Sequence, residues 1–211
     1  MQLNPSSFNQ FLDRIGQLVT WARGYACPCV NPASGSPKPN CPVCKSKGHT
    51  WDVPVPCKTG VAGRDLHQKW AQFGMWNQGD VVLSIPSDSP VYNIGQYDRV
   101  VMLNRSEAFS INMIAGVNTS VPIPYVSIDR VAWMSPDGKS EILGTPPVVN
   151  PDGSLSWPGG MPPNGATYSL SGRRRQEFFC FNDQPWDRPH FGGAQLPRNV
   201  VLRRFDLFGR G

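Results

Sequence analysis

Four of the six cysteines in this chain of 211 residues fall between positions 27 and 44. They read Cys27-Pro28-Cys29, then eleven residues, then Cys41-Pro42-Val43-Cys44. Two thiolates separated by two residues can share one tetrahedral ion, and Gly48 follows closely enough to relieve such a turn. The first pair is tighter. In an extended strand one intervening residue would send the two sulfurs to opposite faces, so the chain must turn at Pro28 for both to reach one metal. Cys27, Cys29, Cys41 and Cys44 are therefore candidate ligands of a structural Zn2+. Four thiolates leave the ion with net negative charge, and Lys38, Lys45, Lys47 and Lys58 lie near enough in sequence to offset it. His49 or Cys57 could replace one thiolate, and a pair of disulfides or free buried thiols are further readings of the same spacing.

A catalytic zinc needs an open coordination position and a base beside it. No His-x-Glu precedes the Cys-x-x-Cys, and the nearest acid, Asp52, stands alone in a Pro-rich run. The chain also lacks a Gly-x-Ser-x-Gly elbow, a phosphate-binding Gly-Lys-Ser/Thr loop and a His-Glu-x-x-His pair. Of its three histidines, His49 adjoins the cysteines, His67 falls on a predicted helix surface, and His190 sits among aromatics in a loop. Asp98-Arg99 and Asp129-Arg130 place acid beside base at strand starts, where surface ion pairing is the expectation. The run Arg173-Arg174-Arg175 could meet phosphate, but a solvated turn between strands accounts for it as well. No catalytic residues are expected, and the protein reads as a non-enzyme.

The elements that must position the cysteines are mainly β. Gly (21) and Pro (22) make up about a fifth of the chain, well above the usual ~12%, which implies many turns. Seven Trp, ten Phe and five Tyr supply core material that disordered chains lack. Phe8, Phe11, Leu12, Ile15, Leu18 and Val19 recur at helical spacing, with Ser6 or Ser7 to cap and Gly24 to stop. Residues 25–60 hold too little apolar material to order themselves by burial, so a bound metal is expected to do it. A second short helix is predicted over Asp65–Phe73.

From Asp80 the period changes to two. Val81–Ile85, Arg99–Leu103, Ala108–Ile111, Val126–Met134, Glu141–Leu143, Val148-Val149, Leu155–Trp157, Tyr168–Leu170, Glu177–Phe181 and Asn199–Phe205 read as strands, with a turn over Asn104–Glu107. Cys180, amid three phenylalanines, reads as a small core residue. The Pro/Gly-rich loop Pro158–Ala166 is expected to reach out from the body. The spacing predicts a small antiparallel β barrel or sandwich, with an N-terminal helix (1–24), a cysteine-rich metal-binding insertion (25–60) and a β body with a C-terminal arm (61–211).

Charge is segmented. Residues 1–79 carry eight basic and three acidic groups, residues 80–170 four and eight, and residues 171–211 eight and four, giving +5 in all. Such an order suits nucleic acid or head-to-tail pairing of identical subunits. No apolar run approaches the ~18 residues that would span a membrane. The start, Met1-Gln2-Leu3-Asn4-Pro5, shows no secretory pattern, so synthesis in a reducing cytoplasm is expected.

The segments Cys27-Pro-Cys-Val-Asn-Pro-Ala-Ser-Gly and Asn40-Cys-Pro-Val-Cys-Lys-Ser-Lys-Gly-His-Thr-Trp51 resemble the Cys-rich segment of small virion proteins of tailed bacteriophages, in the head-completion, connector and neck group. Gly79–Tyr92, Tyr97–Val101 and Leu196–Phe205 are similar to β segments of the same group. The resemblance implies a non-catalytic subunit of a ring at the head–tail junction of the virion. Its implied partners are identical subunits, portal or adaptor and tail proteins, and DNA passing through the channel, with no membrane partner. A zinc-stabilised nucleic-acid-binding module, an assembly factor absent from the finished particle, and a baseplate or tail position are the rival readings.

Overall fold

The computed structural model describes residues 4–61, 77, 79–182, 190–191 and 193–208. The helix predicted over Asp65–Phe73, and His67 with it, lies outside the described residues. The chain divides into two compact units, Met1–Asn104 with Glu177–Gly211, and Arg105–Gln176.

The first unit opens with α1 (Pro5–Ile15), capped by Asn4, whose side-chain oxygen accepts the Ser6 N–H at 3.1 Å. The expected caps, Ser6 and Ser7, lie inside the helix. It also stops nine residues before the expected Gly24. Gly16 takes an extended ψ of 153° while its N–H still reaches the Leu12 carbonyl. The chain then enters β1 (Gln17–Ala22), where Val19 faces Cys57 on one side and Met102 on the other. Leu18 and Val19 satisfy both periods, and strand pairing on two edges outweighs one further helical turn.

Next come β2 (Gly24–Ala26), β3 (His49–Trp51), β4 (Val55–Val61) and β5 (Val81–Ile85). Two long strands follow, β6 (Arg99–Ile114) and β11 (Thr167–Asn182), and β14 (Arg198–Arg204) comes near the end. In the order β14-β5-β4-β1-β6-β11, with β11 pairing back onto β14, six antiparallel strands close a barrel. Alternate residues fill it: Val19, Cys57, Leu83, Ile85, Val100, Met102, Phe178, Cys180, Val200 and Leu202 form one buried cluster. Cys180 is thus the core residue expected of it. The barrel takes β1 and β4 from stretches that composition had given to the helix and the cysteine insertion. Helix α1 lays Leu12 against Gly60 of β4, and Asn9 exchanges two hydrogen bonds with Ser87.

The second unit contains residues 105–114 of β6 and 167–176 of β11, with β7 (Tyr125–Met134) paired to β11 and β8 (Glu141–Gly144) paired to β7. A small hairpin, β9 (Val148-Val149) with β10 (Leu155-Ser156), carries Leu155 and Trp157 onto a core of Met113, Val131, Tyr168 and Leu170. Two predicted turns are absent. Asn104–Glu107 and Arg173–Arg175 lie inside continuous strands, because they pair with each other. Arg173 donates to the Ser106 hydroxyl and carbonyl at 2.8 Å each, and Arg174 Nε donates to Glu107 at 2.8 Å. Loop 158–166 does not reach out at its end: Gly165 and Ala115 bond to one another's stretch at 2.9 and 3.0 Å. The remaining short strands are β12 (His190-Phe191) and β13 (Ala194-Gln195), which pair with one another.

Candidate metal centre

Strands β2 and β3 pair antiparallel, with Gly24 opposite Trp51 and Ala26 opposite His49. They form the stem of a hairpin whose loop is residues 27–48. The Cys27 N–H donates to the Gly48 carbonyl at 2.8 Å, so the stem delivers the first cysteine at the point where the knuckle ends. At Pro28 the chain turns as the spacing required: Val30 N–H donates to the Cys27 carbonyl at 3.0 Å, which brings both sulfurs of the Cys-x-Cys to one side. Around the second pair, Lys45 N–H reaches the Cys41 carbonyl and Lys47 N–H the Cys44 carbonyl, at 2.8 and 3.0 Å. Lys45, Ser46 and Gly48 take positive φ values of 51°, 65° and 74°, wrapping the backbone tightly around Cys44. Its sulfur accepts the Gly48 N–H at 3.3 Å.

The sulfurs of Cys27, Cys29, Cys41 and Cys44 all lie within 4.8 Å of one another. Cys27 and Cys41 are 4.0 Å apart, and Cys29 and Cys44 are 3.5 Å apart. Four sulfurs at 2.3 Å from a central ion in a tetrahedron would stand about 3.8 Å apart, so the set has the size of a tetrathiolate metal site. No disulfide joins any two of the six cysteines. Three of the four ligand candidates are buried, and protein donors alone would complete the coordination shell. Backbone N–H groups of Cys44 and Val43 pull the Cys41 thiol down to about 6. Against the Lys38 backbone N–H, which favours its thiolate, desolvation and the three neighbouring sulfurs push Cys29 up to about 12. A soft divalent ion that replaces the thiol protons would relieve this crowding of sulfurs.

The other sequence candidates fall elsewhere. Cys57 lies in the barrel core, where burial pushes its thiol up to about 11. His49 is not among the clustered ligand candidates and packs against rings, its centroid 4.6 Å from Tyr97 and 5.4 Å from Phe208. Lys58 does not face the cluster but donates to the Asp13 carbonyl at 3.0 Å. His190 is exposed on β12. Arg130 does form an exposed ion pair, but its partner is Glu141 of β8, at 2.7 Å, and not the adjacent Asp129 named from the sequence. Asp98, by contrast, is no surface ion-pair partner: it is 2% exposed and accepts hydrogen bonds from Trp21 Nε1 and the backbone of Gly24 and Gly95. Arg99 pairs instead with Glu177.

Sequence reasoning missed the ring cluster beside the knuckle. Phe208 meets His49, Trp51, Tyr97, Phe179 and Phe205 at centroid distances of 4.9–5.8 Å. The apolar C-terminal stretch, expected to act as an arm, thus packs Phe205 and Phe208 within its own chain. The signal available was the recurrence of aromatics at 205 and 208 opposite a loop short of apolar residues.

No helix among the described residues is long and apolar enough to cross a membrane. The chain matches no protein-family model and no curated protein.

Proposed function

We propose that this protein is a non-catalytic structural subunit of a tailed-phage neck, one copy of a connector, collar or completion ring between portal and tail, with Zn2+ in its cysteine hairpin. The observation that carries the reading is the gathering of Cys27, Cys29, Cys41 and Cys44 within 4.8 Å on one hairpin, the segment on which the resemblance to neck proteins rests. Four thiolates suit zinc, and a shell filled by protein donors suits a structural role rather than hydrolysis. A metal clip lets a loop with little core of its own hold a fixed shape, which a ring subunit needs at its contacts. The exposed side chains of Met134 (56%) and Leu143 (65%) offer apolar surface for neighbouring subunits.

Two measurements test the reading. Metal analysis of the untagged protein should find one zinc per chain, and a content well below one removes the metal clip. Antibody against the protein should label purified particles at the head–tail junction in negative stain. Label at the baseplate or tail moves the subunit within the virion, and label absent from particles overturns the structural role.

A further inference from the structure

Beside the cysteine knuckle lies a cavity of about 410 Å3, open to solvent and walled by rings: His49, Tyr97, Phe179, Phe181 and Phe208. Lys47 and Arg203 also line it, and none of its described lining residues is a carboxylate. Arg203 is committed to Asp80 and lies 3.6 Å over the Phe181 ring. The positive potential therefore comes mainly from Lys38, Lys45 and Lys47, which are exposed on the knuckle and outnumber the net negative charge that four thiolates leave on a divalent ion, with no acid in residues 27–48.

Tyr97 holds its ring at the mouth of this cavity by a strained backbone. Its φ is +71°, a conformation in which a tyrosine is uncommon. The chain fixes it there from both sides: its N–H donates to the Cys180 carbonyl at 2.8 Å and its carbonyl accepts Trp51 Nε1 at 3.0 Å. The residue stays 37% exposed despite contacts with His49 and Phe208. Inside, His49 Nδ1 is buried without a well-formed hydrogen bond.

We propose that this cavity is a binding site for unpaired nucleic acid, with a base entering against Tyr97 and His49 and the flanking phosphates passing over Lys45 and Lys47. Flat aromatic walls beside a cationic track are what single strands require, since every base has a face to stack and every phosphate a charge to neutralise. An acidic peptide would use the same charge but has no need of so many ring faces. The inference stands independently of the neck reading, because it concerns only the groove and its ligand.

The test is fluorescence anisotropy of the zinc-loaded full chain with a labelled oligothymidine of about 16 nucleotides. Binding should fall steeply as salt rises. Tyr97→Gly removes the ring while a glycine accepts the positive φ, so the fold should persist in a thermal melt. That variant should bind roughly 5- to 150-fold more weakly, the range for one lost stacking contact, and Tyr97→Trp should restore affinity. Lys47→Glu should lower the log–log salt slope by about one. Lys139→Glu, the same charge change at an exposed site in the other unit, should lower it by less.

Four results would overturn the proposal. One is no salt-sensitive binding by the wild type. Another is a Tyr97→Gly protein that binds as the wild type does, or a duplex that binds as tightly as the single strand. The last is displacement of the oligonucleotide by poly-glutamate at equal charge, which would make the groove a port for acidic protein.

Discussion

Asp98 Oδ1 accepts the backbone N–H of Gly24 at 2.8 Å, so a buried carboxylate at the foot of β6 holds the first residue of the cysteine-bearing hairpin. Its second oxygen takes Trp21 Nε1 at 2.8 Å and Gly95 N–H at 2.9 Å. One residue earlier, the Tyr97 carbonyl takes Trp51 Nε1 from the opposite strand of the hairpin, at 3.0 Å. Two consecutive residues therefore fasten both sides of the stem to the barrel. Gly24 is required by this closeness, since a β-carbon there would lie 2.7 Å from the Tyr97 carbonyl oxygen.

Asp98→Ala should destabilise the protein by about 3 kcal/mol or more, because three donors in a dry setting lose their acceptor together. Asp98→Asn keeps the shape and one acceptor oxygen and should cost about half as much. Urea denaturation of the zinc-loaded chain reads both values. An alanine variant within ~0.5 kcal/mol of wild type would mean that the stem is held by its cysteine cluster and ring contacts alone.

Cys27→Ser, or removal of metal by a chelator, should open the loop and spare the barrel. The loop has few apolar contacts beyond its own sulfurs and Val30, whereas the barrel has a separate buried cluster. Limited proteolysis should therefore add cleavage within 27–48 while β1 and β4 stay protected. The boundaries matter: because β4 belongs to the barrel, cuts should not extend to residues 55–61. Unchanged cleavage after complete metal loss would show that the loop is ordered without an ion.

Much of this was legible in the sequence, and the failures share a cause. Short apolar, β-branched runs in 81–85, 126–134 and 199–205 announced strands, because runs of that length between turn residues bury well in a sheet. The Cys-x-Cys and Cys-x-x-Cys pairs announced a site, because thiolates at that spacing have few other uses. What stayed hidden depends on partners distant in the chain. Ser106 and Glu107 look like a turn until Arg173 and Arg174 are placed across from them, 67 residues away. Asp98 looks like a surface charge until its three donors are known. Leu18 and Val19 fit a helix, and only the pairing of β1 with β4 and β6 decides for strand.

Cys57 should give the fold an alkaline limit. Burial raises its thiol from 9.0 to about 11. A folded-state pKa above the unfolded one means that stability is fully present below pH ~9 and is lost as pH climbs toward 11, because the unfolded chain then ionises more readily. The loss at pH 11 should be about 2 kcal/mol. Cys57→Ala forfeits some packing at neutral pH but lacks this titration, so its stability should fall less between pH 9 and 11. Parallel slopes for the two proteins, in urea melts across that range, would assign the alkaline limit to other groups.

Strand β8 pairs only with β7 among the described residues, leaving its outer edge with backbone donors and acceptors unspent. Exposed apolar edge strands invite pairing with another chain, and natural proteins usually blunt them with charge or proline. Here Leu143 is 65% exposed and Ile142 37%, and Pro146-Pro147 limit the edge only beyond Thr145. If identical subunits meet at this edge, Leu143→Lys places a charge in the seam without touching a core. Its effect on monomer stability should stay within ~0.5 kcal/mol. Sedimentation velocity should then show the assembled species shifted toward monomer relative to wild type at equal concentration. An unchanged distribution would mean that the subunits join through another face, and the exposed edge would then need a different partner.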